Sequence, residues 1–206
     1  MGFDKLNRRW AVPVVALLSV VLLSACGAKD LVMAPNPSTI DVAAPDLVAL
    51  KAKSKVPDCP KPETRGGVLP KFTIKCLGGG RSVDLSTLKG PLIINFWQSA
   101  CIECRKEMPA LEAFYREYGK QIPILGVDTT DTLPGIALKQ AIKRGITYPL
   151  VADPGGDLQS TKLRILRGTP AFWLLSADGK LTYQDGGLGS EDEVKAMVEK
   201  QLGIQL

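Results

Sequence analysis

Leu92-Ile-Ile-Asn-Phe-Trp97 is a near-continuous apolar run, and four residues beyond it Cys101-Ile-Glu-Cys104 opens a stretch with helical spacing. A run of that kind needs apolar cover on both faces, as the central strands of a layered α/β sheet have. Met108, Leu111, Phe114, Tyr115 and Tyr118 then recur three and four residues apart, the spacing of one helix face. A strand feeding a turn and then a helix puts both cysteines at the helix N-terminus. Unpaired backbone N–H groups and the positive end of the dipole lower a thiol's pKa there. Cys101 is then a nucleophile that attacks another disulfide, and Cys104, one turn further in, resolves the mixed disulfide. The alternative is a plain stabilising bridge, but so short a loop offers little chain-entropy gain.

The rest of the chain alternates between the two periodicities. Strands are expected at 71–76, 81–85, 122–127 and 148–152, with a hairpin of 171–176 and 181–184 around Ala177-Asp178-Gly179. Helices are expected at 138–144, closed by Gly145, at 158–163, and at 191–202 with Ser190 as N-cap. Alternating strands and helices mean an α/β layer fold.

The beginning is organised differently. Lys5, Arg8 and Arg9 precede a 14-residue apolar stretch, Trp10 to Leu23, that exits through Leu23-Ser24-Ala25-Cys26. A membrane-spanning helix needs roughly 20 apolar residues, and Pro13 interrupts this stretch. A basic start, a short apolar middle and a small-residue exit describe an export signal over residues 1–25. Leu-Ser-Ala-Cys resembles the lipobox of bacterial lipoproteins, in which the cysteine is lipidated, so Cys26 is the expected lipidation site. An uncleaved anchor helix is the alternative. Either form ties the chain to the cell membrane, facing the extracytoplasmic side. Residues 26–66 carry Pro35, Pro37, Pro45, Pro57, Pro60 and Pro62 and are expected to form an extended tether, with a short helical patch near Asp46–Ser54. The folded domain is expected over 67–206. Without the signal the chain has 23 basic and 20 acidic residues and no long Lys/Arg block, so nucleic acid is not an expected partner.

Histidine is absent. Ser-His-Asp and Cys-His nucleophile pairs and His-ligated metal sites are thereby excluded. Five cysteines outside the cytoplasm is an odd number, and assigning Cys26 to lipid leaves Cys59, Cys76, Cys101 and Cys104. The i,i+3 spacing of Cys101 and Cys104 favours a local bridge, which pairs Cys59 with Cys76. A zinc site of four thiolates competes with that pairing, but sixteen residues separate the first two cysteines and no knuckle pattern is present. No metal and no cofactor beyond a redox-active disulfide is expected. Cys59–Cys76 is read as a structural staple closing a loop worth about 3 kcal/mol, with a second redox relay as the alternative.

At Phe96-Trp97-Gln98-Ser99-Ala100-Cys101-Ile102-Glu103-Cys104-Arg105-Lys106-Glu107-Met108-Pro109 the chain resembles the thioredoxin superfamily, and more narrowly its membrane-tethered TlpA/ResA-like thiol–disulfide oxidoreductases. The resemblance runs from about Val68 to Leu202 and includes Arg167-Gly168-Thr169-Pro170-Ala171-Phe172, which matches the family's cis-proline loop. It implies a thioredoxin-like α/β fold with a central mixed sheet, an N-terminal strand extension and a helix–strand insert from about Pro134 to Asp153. It also implies that Pro170 is the cis-proline, that Thr169 contacts substrate backbone, and that Glu107 serves the active-site thiols as an acid–base group. Expected partners are client proteins with thiols or disulfides and a membrane electron donor, with reductive work of the cytochrome c maturation type. An oxidant of secreted proteins and a non-catalytic binding lipoprotein are the alternatives. The sequence also departs from the pattern. Ala100 replaces a common Trp, Glu103 stands where relatives carry Pro, and Asn95 replaces a buried Asp, so it cannot shuttle a proton. A Pro-x-x-x-Thr-x-x-Cys arrangement is absent at Cys101, which argues against a peroxiredoxin. The missing histidine argues against copper delivery.

Overall fold

Residues 39–62 and 67–206 are described by the computed structural model. The expected export signal over residues 1–25 and the expected lipidation site Cys26 lie outside them. Among the described residues no helix is long and apolar enough to cross a membrane.

Seven strands form one mixed sheet in the order β2-β1-β5-β4-β3-β6-β7. Strands β3 (Leu92–Trp97), β4 (Ile124–Thr129) and β5 (Leu150–Asp153) run parallel at its centre and are buried throughout. The hairpin β6 (Ala171–Leu175) and β7 (Leu181–Asp185) adds antiparallel to β3. On the other side β1 (Thr73–Cys76) and β2 (Val83–Asp84) extend the sheet antiparallel to β5. The fold is thus a thioredoxin-like mixed α/β layer with the N-terminal strand extension that its sequence predicts. The helix–strand insert is α3 (Pro134–Lys143) followed by β5.

Alternation along β3 divides the core. Ile93 and Trp97 pack into a cluster with the apolar faces of the helices, and Leu92, Ile94 and Phe96 into a second cluster on the opposite face. Helix α2 (Ile102–Tyr118) contributes Cys104, Met108, Leu111 and Phe114 to the first, and α4 (Glu191–Leu202) contributes Val194, Met197 and Val198. Ser190 caps α4, accepting a hydrogen bond from the Glu193 N–H.

Three local expectations are corrected. The Pro-rich stretch is not an extended tether over its described part, and the folded unit begins ahead of residue 67. Helix α1 (Pro45–Ala52) forms where the short helical patch is expected, starting on Pro45, but Val42, Leu47, Val56 and Cys59 are buried in the domain core. The apolar residues responsible are too far apart to show a period, yet each finds a pocket. Helix α3 begins four residues earlier than its apolar spacing suggests, because Pro134 suits a first helical position. The helix expected at 158–163 is a single 3₁₀ turn, Asp157–Ser160, held by the Asp153 carboxylate, which accepts N–H bonds from Asp157 and Leu158.

Candidate active site

Cys101 is the N-cap of α2, and its Sγ lies 3.0 Å from the Cys104 backbone nitrogen. The two cysteines form a disulfide. Cys101 is half-buried and Cys104 fully buried, so only one sulfur meets solvent. A thiolate on Cys101 would receive the Cys104 N–H and the helix dipole without rearrangement.

The turn before Cys101 is clamped at Ser99 from both sides. Asp131, in the loop between β4 and α3, accepts the Ser99 N–H at 2.6 Å and the Leu133 N–H at 2.8 Å. Arg105 donates to the Ser99 carbonyl at 2.6 Å. Pro109 lies inside α2 and has no N–H for the Arg105 carbonyl one turn back. The Arg144 guanidinium fills that vacancy at 2.8 Å. Asp128, in register with Trp97 on the neighbouring strand, is a buried carboxyl raised well above the usual range by desolvation and then by the adjacent Asp131.

Facing Cys101 is the loop before β6. The Thr169–Pro170 peptide is cis, and the Thr169 carbonyl oxygen stands 3.5 Å from Cys101 Sγ. Gly186 donates to the Pro170 carbonyl at 2.9 Å, and a Cβ on Gly186 would come within 2.6 Å of the proline ring. The backbone after β7 therefore closes directly against the cis-proline.

That same segment binds Glu107. The Gly187 and Leu188 N–H groups donate to Glu107 Oε2 at 2.7 and 3.1 Å, and the Asn95 amide donates to Oε1 at 3.1 Å. Glu107 is buried, and desolvation pushes its pKa up to about 7 despite the three donors, which pull the other way. Asn95 suits either protonation state, since a turned amide can accept from the acid or donate to the carboxylate. Glu107 follows Cys104 by three residues on one helix face. Its burial distinguishes Glu107 from a solvated or ion-paired glutamate on a helix surface. Glu103 does face water, paired with Lys106 at 2.8 Å.

The second disulfide joins Cys59 to Cys76 on the opposite core cluster. Trp97 is core, as its sequence position predicts, and Trp173 packs edge-on to Tyr183 while its indole N–H holds the Arg164 carbonyl. Sequence reasoning passed over Asp131, Arg144 and the Gly186–Leu188 segment. An Asp shortly before a helix-starting Pro was the one local signal for the first.

A dithiol/disulfide at the end of a central parallel strand, opposite a cis-proline and beside a buried acid, defines a thiol–disulfide oxidoreductase. The chain belongs to the AhpC/TSA family, whose model matches residues 66–184. It is 30% identical over 140 residues to the thiol-disulfide oxidoreductase ResA of Bacillus thuringiensis subsp. konkukian, covering 66% of this chain and 77% of that protein. A putative protein disulfide isomerase from Bacteroides thetaiotaomicron superposes with a TM-score of 0.54 at 31% identity, over 69% of this chain and 92% of that one. A secreted disulfide oxidoreductase of Mycobacterium tuberculosis shares the fold, with a TM-score of 0.54 at 23% identity over 63% of this chain and 96% of that one. The chain is accordingly a thiol–disulfide oxidoreductase similar to ResA.

Proposed function

We propose that the protein reduces disulfides in client proteins outside the cytoplasm, working from a lipid anchor at Cys26 and recharged by a membrane thiol–disulfide donor. Cytochrome c maturation-type clients, whose haem-attachment cysteines must be kept reduced, suit this role. The observation that carries the reading is the half-exposed Cys101 Sγ at the α2 N-terminus, 3.5 Å from the Thr169 carbonyl. Backbone polar groups beside the cis-proline can align an extended client segment there. Cys101 attacks the client disulfide, and its thiolate leaving group departs. Cys104 then attacks Cys101 Sγ, releasing the second client thiol and closing Cys101–Cys104. Glu107 takes the Cys104 proton in that step, since an acid near pKa 7 both accepts and returns protons at neutrality.

Insulin reduction by the full chain tests the activity. Turnover that depends on Cys101 supports it, and its absence would leave a thioredoxin-fold binding module. A reduction potential of Cys101–Cys104 in the range of strong oxidants would favour an oxidant of secreted proteins instead. The anchor is tested by metabolic labelling with a fatty-acid analogue. Cys26→Ser should abolish the label, and persistent labelling would refute lipidation at that residue.

A further inference from the structure

The Cys59–Cys76 disulfide is flanked by groups that suit its reduced form. Lys51 Nζ, on α1, lies 3.0 Å from Cys76 Sγ and 2.8 Å from the Gly79 carbonyl oxygen. Cys59 Sγ lies 3.2 Å from the Leu150 carbonyl oxygen. A disulfide sulfur has no proton to give that carbonyl, and it is a poor acceptor for an ammonium. A Cys59 thiol could donate to Leu150, and a Cys76 thiolate would give Lys51 a full counter-charge. Lys51 is 8% exposed, and burial pulls its pKa below the ordinary lysine range while Asp58 pulls it back. Asp58 is largely engaged elsewhere, accepting the Arg81 and Cys59 N–H groups and lying 3.6 Å from the Arg81 guanidinium. A buried cation has thus been placed against a sulfur that becomes an anion only on reduction.

We infer that Cys59–Cys76 is a second thiol–disulfide exchange site, in which Lys51 holds the Cys76 thiolate and makes Cys76 the leaving group. Its substrate class is a dithiol reductant. One thiolate of the dithiol attacks Cys59 Sγ, the Cys59–Cys76 bond breaks, and its electron pair passes to Cys76 beside Lys51. The second thiolate of the dithiol then attacks its own partner's sulfur in the mixed disulfide. Cys59 leaves, takes a proton and faces Leu150, and the dithiol has become a disulfide. Two electrons have entered the pair. Attack falls on Cys59 because exchange is fastest when the departing thiol is the more acidic. Both sulfurs are buried, so the step requires local opening. The segment carrying Cys59 is neither helix nor strand, and a cavity of about 330 Å³ lined by Lys51, Ser54, Val56, Asp58 and Gly80 opens beside it.

The site is tested by equilibrating the full chain in dithiothreitol of graded redox ratio. The four thiols are counted by differential alkylation and mass spectrometry, and near-UV circular dichroism is read in parallel. Cys59–Cys76 should open after Cys101–Cys104 but while the near-UV signal is still native. In the reduced chain Cys76 should alkylate faster than Cys59 at limiting pH below 8, once the local segment opens. Lys51→Met should require a roughly tenfold more reducing ratio, about 30 mV, for the second pair alone, and Lys51→Arg should restore it. Insulin turnover through Cys101 reports that each variant is folded. The same titration of a Cys101→Ser/Cys104→Ser chain isolates the second pair, so its outcome is independent of the proposed client reduction. Opening of Cys59–Cys76 only together with loss of the near-UV signal, or an unmoved midpoint in folded Lys51→Met, would overturn the inference.

Discussion

The two disulfides occupy opposite core clusters of one sheet and differ in how each sulfur is addressed. Cys101 stands half-exposed at a helix N-terminus, with the Cys104 backbone N–H and the Thr169 carbonyl beside its sulfur, and Cys104 is buried behind it. Cys59 and Cys76 are both buried, and the charge beside them is a lysine side chain rather than a helix dipole. Helix position gives the first pair a thiolate that clients can reach. The second pair has a lysine ammonium beside Cys76 but no exposed sulfur. Access, more than electrostatics, separates a site that works on clients from one that answers only to local opening.

Exchanging the roles of the two pairs by mutation gives the largest contrast. Cys101→Ser should abolish insulin turnover and leave the urea unfolding midpoint nearly unchanged. Cys59→Ser/Cys76→Ser should keep turnover and lose about 3 kcal/mol of unfolding free energy, the loop-closure value for a bridge spanning 17 positions. Turnover lost with the second pair, at a temperature where the variant is folded, would break the comparison.

Glu107 tests whether the first pair depends on a buried acid as the second depends on a buried cation. Glu107→Gln should slow exchange by about 10²-fold, the low end for general acid–base catalysis, and flatten the pH profile near 7 while sparing Cys101 alkylation. Stability carries an independent signature. The folded-state pKa of about 7 lies above the unfolded value of 4.5, so between them the native state holds more protons. Unfolding free energy therefore falls as pH rises from 4.5 through 7, by up to about 3 kcal/mol. Denaturant titrations from pH 4.5 to 8 should show a shallower slope in Glu107→Gln than in the parent, with Asp128 and Asp153, also raised by burial, contributing the remainder. A variant with parental turnover and an unchanged slope would reduce Glu107 to packing.

How much of this was legible in the sequence follows the range of the interactions. Strand β3, the cysteine pair, α2 and the cis-proline loop each announce themselves within about ten residues, through apolar continuity, helical spacing or the resemblance of Thr169-Pro170. The bonds that make a site of them do not. Ser99 meets Asp131 across 32 positions, and Glu107 meets Gly187 across 80. The helical patch near Asp46–Ser54 was legible and is α1, but the burial of Val42, Leu47 and Val56 was not, because they are set among Pro and Lys and show no period. Lys51 carries no local signal at all, since only the folded chain brings it to Cys76 across 25 positions.

The Ser99 clamp ranks next in expected effect. Asp131→Ala leaves the buried Ser99 N–H unpaired, which should cost about 1–3 kcal/mol and raise the alkylation rate of reduced Cys101 as its turn loosens. Asp131→Asn keeps one of the two accepting oxygens, for either the Ser99 or the Leu133 N–H, and removes the charge facing Asp128, so it should recover part of that stability. Equal losses in both variants would mean that the carboxylate charge, rather than the hydrogen bond, holds the turn.

The smallest effect belongs to Glu103, and it sharpens the contrast with Lys51. Each is a charged side chain near a reactive sulfur, one beside Cys101 in sequence and one beside Cys76 in space. Glu103 is 59% exposed and already paired with Lys106 at 2.8 Å, whereas Lys51 is buried against its sulfur. Two unit charges 4 Å apart in water interact by only about 1 kcal/mol, and the Lys106 charge offsets much of that for any third group. Removing the negative charge should favour the Cys101 thiolate, so Glu103→Gln should lower the pKa of Cys101 by less than about 0.5. Alkylation rate against pH, for Cys101 in this variant and for Cys76 in Lys51→Met, puts both shifts on one scale. A Glu103→Gln shift as large as that of Lys51→Met would show that solvent screens the helix N-terminus far less than its exposure implies.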